Sequence, residues 1–309
     1  MMAVANGTKG PSGSNVHLLI TAFDYDRNRA TFFRSAVAGT GGAWGSGAPL
    51  PVTLADAIHA STNAPVNYFD APAAFFENAD RYWDGAITGC NNPVLAAVTE
   101  AVVLGQDSLN IVVLSLGTGL GLLPLAEPDT SPQTPYEAPR VESSLATDLK
   151  KLAGSILDDP PDAATFIAHV MTKGASGLSK PVESRIVRMN PLISPIKVGD
   201  KWTAPQGITA AQFQHLYNLE LDALEQHDVL TISHYCDLWL EDKASNQPIR
   251  MDGSTLKAEI GYTKFSEARA AWKALTTTSP SSTASLGQGK EASSKMSRRK
   301  QPKSQRKNR

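Results

Sequence analysis

Apolar positions along this chain follow two periods, and the changes of period mark its elements. Val16 to Asp24 is a short apolar run rich in strand formers and reads as a buried strand. Arg29 to Ser35 reads as a second strand. The polar Tyr25–Asn28 between them suggests an antiparallel hairpin with a loop longer than the tightest turns. Gly39 to Gly47 is a glycine loop. Thr53 then opens a helix: its hydroxyl can accept from the Asp56 N–H, and Leu54, Ala57 and Ile58 share a face. Pro65 disfavours helix at Ala64, so this helix ends near Ser61. Pro72 to Ala79 fits a short helix or a loop.

The stretch from Arg81 to Gly119 organises the rest. It reads as turn, helix, strand and glycine loop. Asp84 precedes Gly85 and the small Ala86, on backbone that can turn sharply and expose a carboxylate. Asn92 and Pro93 suit a helix start. Val94, Leu95, Val98, Val102 and Val103 recur at helical spacing and are expected to face a core. Asn110 to Ser115 reads as a buried strand that empties into Leu116-Gly117-Thr118-Gly119, whose glycines would free backbone N–H groups.

Beyond it, the four prolines of Glu127–Pro139 mark a surface loop. Val141 to Leu157 is an amphipathic helix with Leu145, Leu149, Leu152 and Ile156 in phase. Pro160-Pro161 breaks it, and Ala163 to Lys173 forms another. Ser184 to Pro191 alternates like a strand, and Pro195 to Gly207 reads as loop. Helices are expected over Ala210–Leu224, Val229–Leu240 and Phe265–Leu275, with Asp242–Gly261 polar and irregular between the last two. From Thr276 onward Ser, Thr, Gly, Lys and Arg dominate without apolar pattern, which predicts disorder.

Several passages, in order, resemble the second half of the patatin-like phospholipase domain. They are Ala60-Ser61-Thr62-Asn63-Ala64-Pro65, Tyr82-Trp83-Asp84-Gly85-Ala86, Asn91-Asn92-Pro93 and Ser115-Leu116-Gly117-Thr118-Gly119. The resemblance implies a three-layer α/β/α fold with a mainly parallel central sheet, here incomplete, plus C-terminal helices. It implies a lipid acyl hydrolase that cleaves carboxylic esters through a Ser–Asp dyad. Asp84 matches the catalytic aspartate, with Gly85 and Ala86 completing the motif. An unassisted serine hydroxyl is a weak nucleophile, so a base must accept its proton. The domains expected are a disordered leader 1–15, the patatin-like part 16–126, a mostly helical continuation 127–275 and a basic tail 276–309.

The nucleophile is missing from this picture. The sequence holds no Gly-x-Ser-x-Gly elbow and no glycine-rich oxyanion loop before the first strand. Ser115 follows a strand, but Val113 stands where the elbow needs its first glycine, so it is a poor candidate. The chain is therefore expected to be inactive alone, as a fragment, one half of a split gene or a decayed copy, with an upstream half of the same domain as its partner in the first two cases. The alternative is a non-catalytic lipid-binding or regulatory remnant. Gly117-Thr118-Gly119-Leu120-Gly121 lacks the spacing of a dinucleotide loop, and no Lys-Ser/Thr pair follows. No cofactor or metal is expected: His227 and His234 lie seven apart without an acid or cysteine at metal spacing.

Composition adds one feature. The net charge is −1, yet Lys290–Arg309 carries nine Lys/Arg and one Glu, so a basic tail follows an acidic body. Attraction to an anionic membrane surface would suit a lipid-acting protein. Nucleic acid is not expected, since no aromatics interleave with the basic residues. The two cysteines, Cys90 and Cys236, cannot build a disulfide framework, and no signal peptide or membrane span is evident, so a cytoplasmic, peripheral location is expected.

Overall fold

A computed structural model describes residues 16–35, 52–65, 68–75, 80–173, 184–219, 223–252 and 255–277. The expected leader, the glycine loop at Gly39–Gly47 and nearly all of the basic tail lie outside these.

The hairpin forms as expected. Strand β1 (Leu19–Asp24) pairs antiparallel with β2 (Arg29–Arg34), Leu19 opposite Arg34 and Asp24 opposite Arg29. The other edge of β1 takes β4 (Arg81–Asp84), with Ala22 opposite Asp84, and β3 (Ala73–Ala74) completes the order β2-β1-β4-β3. The expected turn forms at Gly85–Thr88, and the residues before it, Arg81–Asp84, are strand. Helix α1 (Leu54–Thr62) starts at a full capping box, Thr53 and Asp56 each bonding the other's backbone. It places Ala57 and Ala60 against Ala22, Phe33 and Tyr82. Phe75 stacks on Tyr82, and Phe33 meets Tyr82 edge-on.

Helix α2 (Val94–Val103) and strand β5 (Val113–Leu116) follow, then the short β6 (Leu120–Gly121). Helix α3 (Leu145–Lys173) crosses over to β7 (Ile186–Met189), which pairs parallel with β5; β8 (Pro191–Ile193) pairs parallel with β6. This is the connection that parallel strands require. Among the described residues the other strand pairings are antiparallel, so the fold is mixed α/β. The strands form separate short ladders, and the two parallel pairings stand apart from the antiparallel four-stranded sheet.

Several expectations are corrected. Helix α3 runs through Pro160-Pro161 rather than breaking there. Its C-terminal half is held by Ala164 and Ala168, which share a core with Val94, Val98, Ile186 and Ile249. Its N-terminal leucines do not reach that core: Leu145, Leu149 and Leu152 are exposed. Val102 and Val103 are also exposed, because α2 runs past the core after Val98. The strand expected from Asn110 starts only at Val113 and is partly buried, because Ser108–Asn110 form a 3₁₀ turn in which the Asp107 carboxylate accepts from Leu109 N–H. The expected loop Pro195–Gly207 contains the hairpin β9 (Ile196–Val198) and β10 (Lys201–Thr203). Helix α4 (Ala210–Tyr217) is capped by Thr209 and stops at Asn218, short of Leu224. Helices α5 (Gln226–Leu240) and α6 (Phe265–Thr277) form where expected. Between them, β11 (Ser245–Asn246), β12 (Arg250–Asp252) and β13 (Lys257–Ile260) replace irregular chain.

One buried amide fixes β11 in place. Asn246 is fully buried, and its Oδ1 accepts from Asn190 N–H (3.0 Å) and Trp239 Nε1–H (3.2 Å). Its Nδ2 faces the carbonyls of Arg188, Gln247 and Tyr262 at 2.8 to 3.1 Å. It thereby links β7, α5, β11 and the approach to α6. A buried polar group left without partner costs about 1–3 kcal/mol, and Asn246→Ala strands several. Urea unfolding of Asn246→Ala should show a loss of about 3 kcal/mol or more, against under ~1 kcal/mol for the exposed Lys257→Ala.

Candidate active site

Asp84 ends β4 and caps the 3₁₀ turn Gly85–Thr88. Its Oδ1 accepts from Ala86 N–H at 2.8 Å. The backbone is fixed from two sides. Asp84 N–H donates to the Asn63 carbonyl (3.0 Å), and the Asn63 side chain donates to the carbonyls of Ala71 (3.1 Å) and Tyr82 (3.4 Å). Asn63 is itself buried at the end of α1. On the other side, a Cβ built on Gly85 would come within 2.5 Å of Thr21 Oγ1 and 2.9 Å of the Thr21 backbone. Only glycine lets the turn lie this close to β1.

Neighbouring acids have cationic partners. Buried Asp24 pairs with Arg27 at 2.7 Å, Asp80 with the same guanidinium at 2.7 Å, and Asp26 with Arg81. Asp24 and Asp26 are therefore structural, as their place beside the hairpin turn suggests. Asp84 has no ion pair among the described residues, and it is half-buried. Burial raises its pKa above the ordinary 3.8, and the Ala86 N–H opposes this by favouring the anion.

Beside the turn lies an apolar groove of about 460 Å³. Thr88, Gly89 and Cys90 bring the Asp84 turn to its edge, and Leu19, Phe32 and Ile167 form apolar wall. The groove is therefore shared by the hairpin, α2 and α3.

The other motif residues are structural. Ser115 is buried; its hydroxyl donates to Asn92 Oδ1 (3.2 Å) and accepts from Arg188 (2.9 Å). It is not a free nucleophile. Asn92 also donates to Thr165 Oγ1 (2.7 Å), so it ties the start of α2 to α3 and β5. The N–H groups of Gly117 and Gly119 are not free, contrary to expectation. Gly117 N–H donates to Met189 O (3.1 Å) and Gly119 N–H to Asn190 Oδ1 (2.7 Å). A Cβ at Gly117 would collide with the side chains of Asn190 and Arg188. Arg188 is partly buried, which lowers its pKa, while the Asp162 charge opposes that shift.

Sequence reasoning missed Asn63, Asn92 and Arg188 as positioning groups. Asparagines beside proline or a helix start look like ordinary caps, and nothing local distinguishes a cap from a bridge. It weighed His227 only with His234, a pair it set aside, and did not consider His215. His234 Nε2 lies 3.0 Å from the Gly207 carbonyl, whereas His227 gathers with His215 and Asp228.

A search of family models finds none that matches the chain, and a search of curated proteins finds no match either. No helix among the described residues is long and apolar enough to cross a membrane.

Two outcomes follow from the geometry. A raised folded-state pKa means the native protein holds the Asp84 proton more tightly than the unfolded chain. Stability from this group is full below the ordinary 3.8 and falls as pH rises through the folded value. Thermal unfolding of Asp84→Asn should therefore give a higher Tm than the parent at pH 7, with the gain vanishing below pH 3.8. Gly85→Ala should lose about 1–3 kcal/mol in urea unfolding through overpacking against Thr21.

Proposed function

We propose that this chain is the aspartate-bearing part of a patatin-like acyl hydrolase, with Asp84 as the general base for carboxylic ester cleavage. The observation that carries the reading is a half-buried carboxylate without an ion pair among the described residues, locked at a strand end whose following turn, Thr88–Cys90, lines an apolar groove. A desolvated carboxylate is a stronger proton acceptor than a solvated one. The groove is of a size and character to take an acyl chain. In the dyad, Asp84 accepts the proton of a serine hydroxyl as its oxygen attacks the ester carbonyl. Donors aimed at the resulting oxyanion each contribute about 3 kcal/mol.

Neither the serine elbow nor the oxyanion loop occurs in the sequence, so both come from a separate polypeptide segment, the other half of the domain. The three-layer arrangement about a parallel sheet belongs to this reading; the parallel pairs β5–β7 and β6–β8 support it. The same reading places the chain in the cytoplasm, peripheral to a membrane. There the basic tail adds about 1 kcal/mol per residue near anionic lipid.

A second reading, a non-catalytic lipid-binding protein, is favoured by the groove together with the engagement of Ser115 in the core.

A fluorophosphonate probe separates these. The pure chain should remain unlabelled; stoichiometric labelling would reveal a nucleophile within it. Mixed with a segment bearing a Gly-x-Ser-x-Gly elbow and an oxyanion loop, it should gain esterase turnover. Asp84→Asn should then remove turnover by a factor of about 100 or more, the scale of general-base catalysis. Turnover retained in Asp84→Asn would exclude the base. Fatty-acid binding without any turnover in the mixture would favour the second reading.

A further inference from the structure

His215, His227 and Asp228 meet where the end of α4 faces the start of α5. His215 lies in the last turn of α4, and His227 and Asp228 open α5. Both histidine Nε2 atoms point at the same carboxylate oxygen, Asp228 Oδ1, at 2.7 Å from His215 and 3.0 Å from His227. The imidazoles stack with centroids 4.9 Å apart and planes 28° apart. The donor atoms of all three residues lie within 4.8 Å of one another. Side-chain exposure rises from 12% at Asp228 to 35% at His215 and 69% at His227, so a nearly buried carboxylate anchors a trio that opens to water on one side.

We propose that this trio binds a divalent transition-metal cation of the zinc class, through Nε2 of each histidine and a carboxylate oxygen of Asp228. Two imidazoles and a carboxylate are a donor set suited to zinc, and three protein ligands leave a fourth position for water. Bonds of about 2.0–2.2 Å in tetrahedral geometry put ligand atoms about 3.3 Å apart. The present 2.7 and 3.0 Å separations from Asp228 Oδ1 widen by less than about 1 Å on binding, through small rotations of both imidazoles.

Each Nε2 that coordinates a cation does so unprotonated; a proton held there leaves to solvent or shifts to Nδ1. The N-terminal dipole of α5 opposes a cation there, and the Asp228 charge offsets it. Binding would tie α4 to α5. The packing partners of these helices include Leu216, Tyr235 and Leu238, members of the same core as β7 and α6. The site is separate from Asp84 in sequence and chemistry, so it stands or falls independently of the hydrolase reading.

The test uses the full, tag-free chain with Cys90→Ser and Cys236→Ser to remove thiol ligands. Titration with zinc chloride in a calorimeter should give one zinc per chain and a raised Tm. His227→Ala should weaken binding at least about tenfold, more than loss of a supporting residue around a metal does at its mildest. His234→Ala, on the same helix but directed at Gly207 O, should leave it unchanged. Cobalt should give the intense visible absorption of a four-coordinate site, and Asp228→Asn should abolish it while circular dichroism shows the helices intact. No binding up to about 1 mM zinc overturns the proposal, since that limit corresponds to only about 4 kcal/mol of affinity. One-to-one binding that survives the His215→Ala/His227→Ala pair also overturns it.

Discussion

The contact on which the site depends is the approach of the Gly85 backbone to Thr21. With no Cβ at Gly85, the turn after β4 packs directly on β1. That brings the Ala86 N–H under the Asp84 carboxylate and keeps the carboxylate half-buried. Asn63 completes the arrangement from the opposite side, bonding β4 through both its side chain and its carbonyl. Three hydrogen bonds and one missing methyl group thus fix an acid that no cation neutralises among the described residues. Such a group works against stability, which is what an acid retained for chemistry is expected to do.

The remaining motif residues hold the frame. Asn92 joins α2, α3 and β5 through Thr165 and Ser115. Asn190 closes the glycine loop, and its Nδ2 donates to Gln247 Oε1 at 2.6 Å. Gln247 in turn donates to Asp162 on α3 (2.8 Å). Asn246 extends the network to α5 and β11. This chain of buried amides runs alongside the parallel strands β5 and β7, so it sets their position relative to α3. A satisfied buried network specifies one arrangement of elements more narrowly than apolar packing alone. In the glycine loop the Gly117 and Gly119 N–H groups are consumed internally, and Gly117 packs closely on Asn190 and Arg188.

Local signals were legible where local chemistry decides structure. The β1–β2 hairpin, the Thr53 and Thr209 caps, and helices α5 and α6 all follow from periodicity and capping, and they formed. Elements fixed by distant partners were not legible. β11 owes its place to Asn246 bonding residues far away in sequence, and α3 continues across two prolines while Ala164 and Ala168 anchor its second half. Apolar periodicity also overstated burial. Leu145, Leu149 and Leu152 keep helical phase but have no core to face within the described residues. Asp84 was legible through its Gly-Ala context, whereas its holders Asn63 and Thr21 were not, because their roles appear only once β1 and β4 are paired. The His215–His227–Asp228 trio was invisible for a similar reason. Its members come from two helices whose contact the sequence does not announce.

The most direct measurement is the titration of the Asp84 carboxyl carbon by NMR, assigned by loss of its resonance in Asp84→Asn. A half-buried carboxyl without a cationic neighbour titrates above the ordinary aspartate value of 3.8. A midpoint at or below 3.8 would mean that the acid is solvated or ion-paired, and the account of Asp84 as a poised base would be wrong.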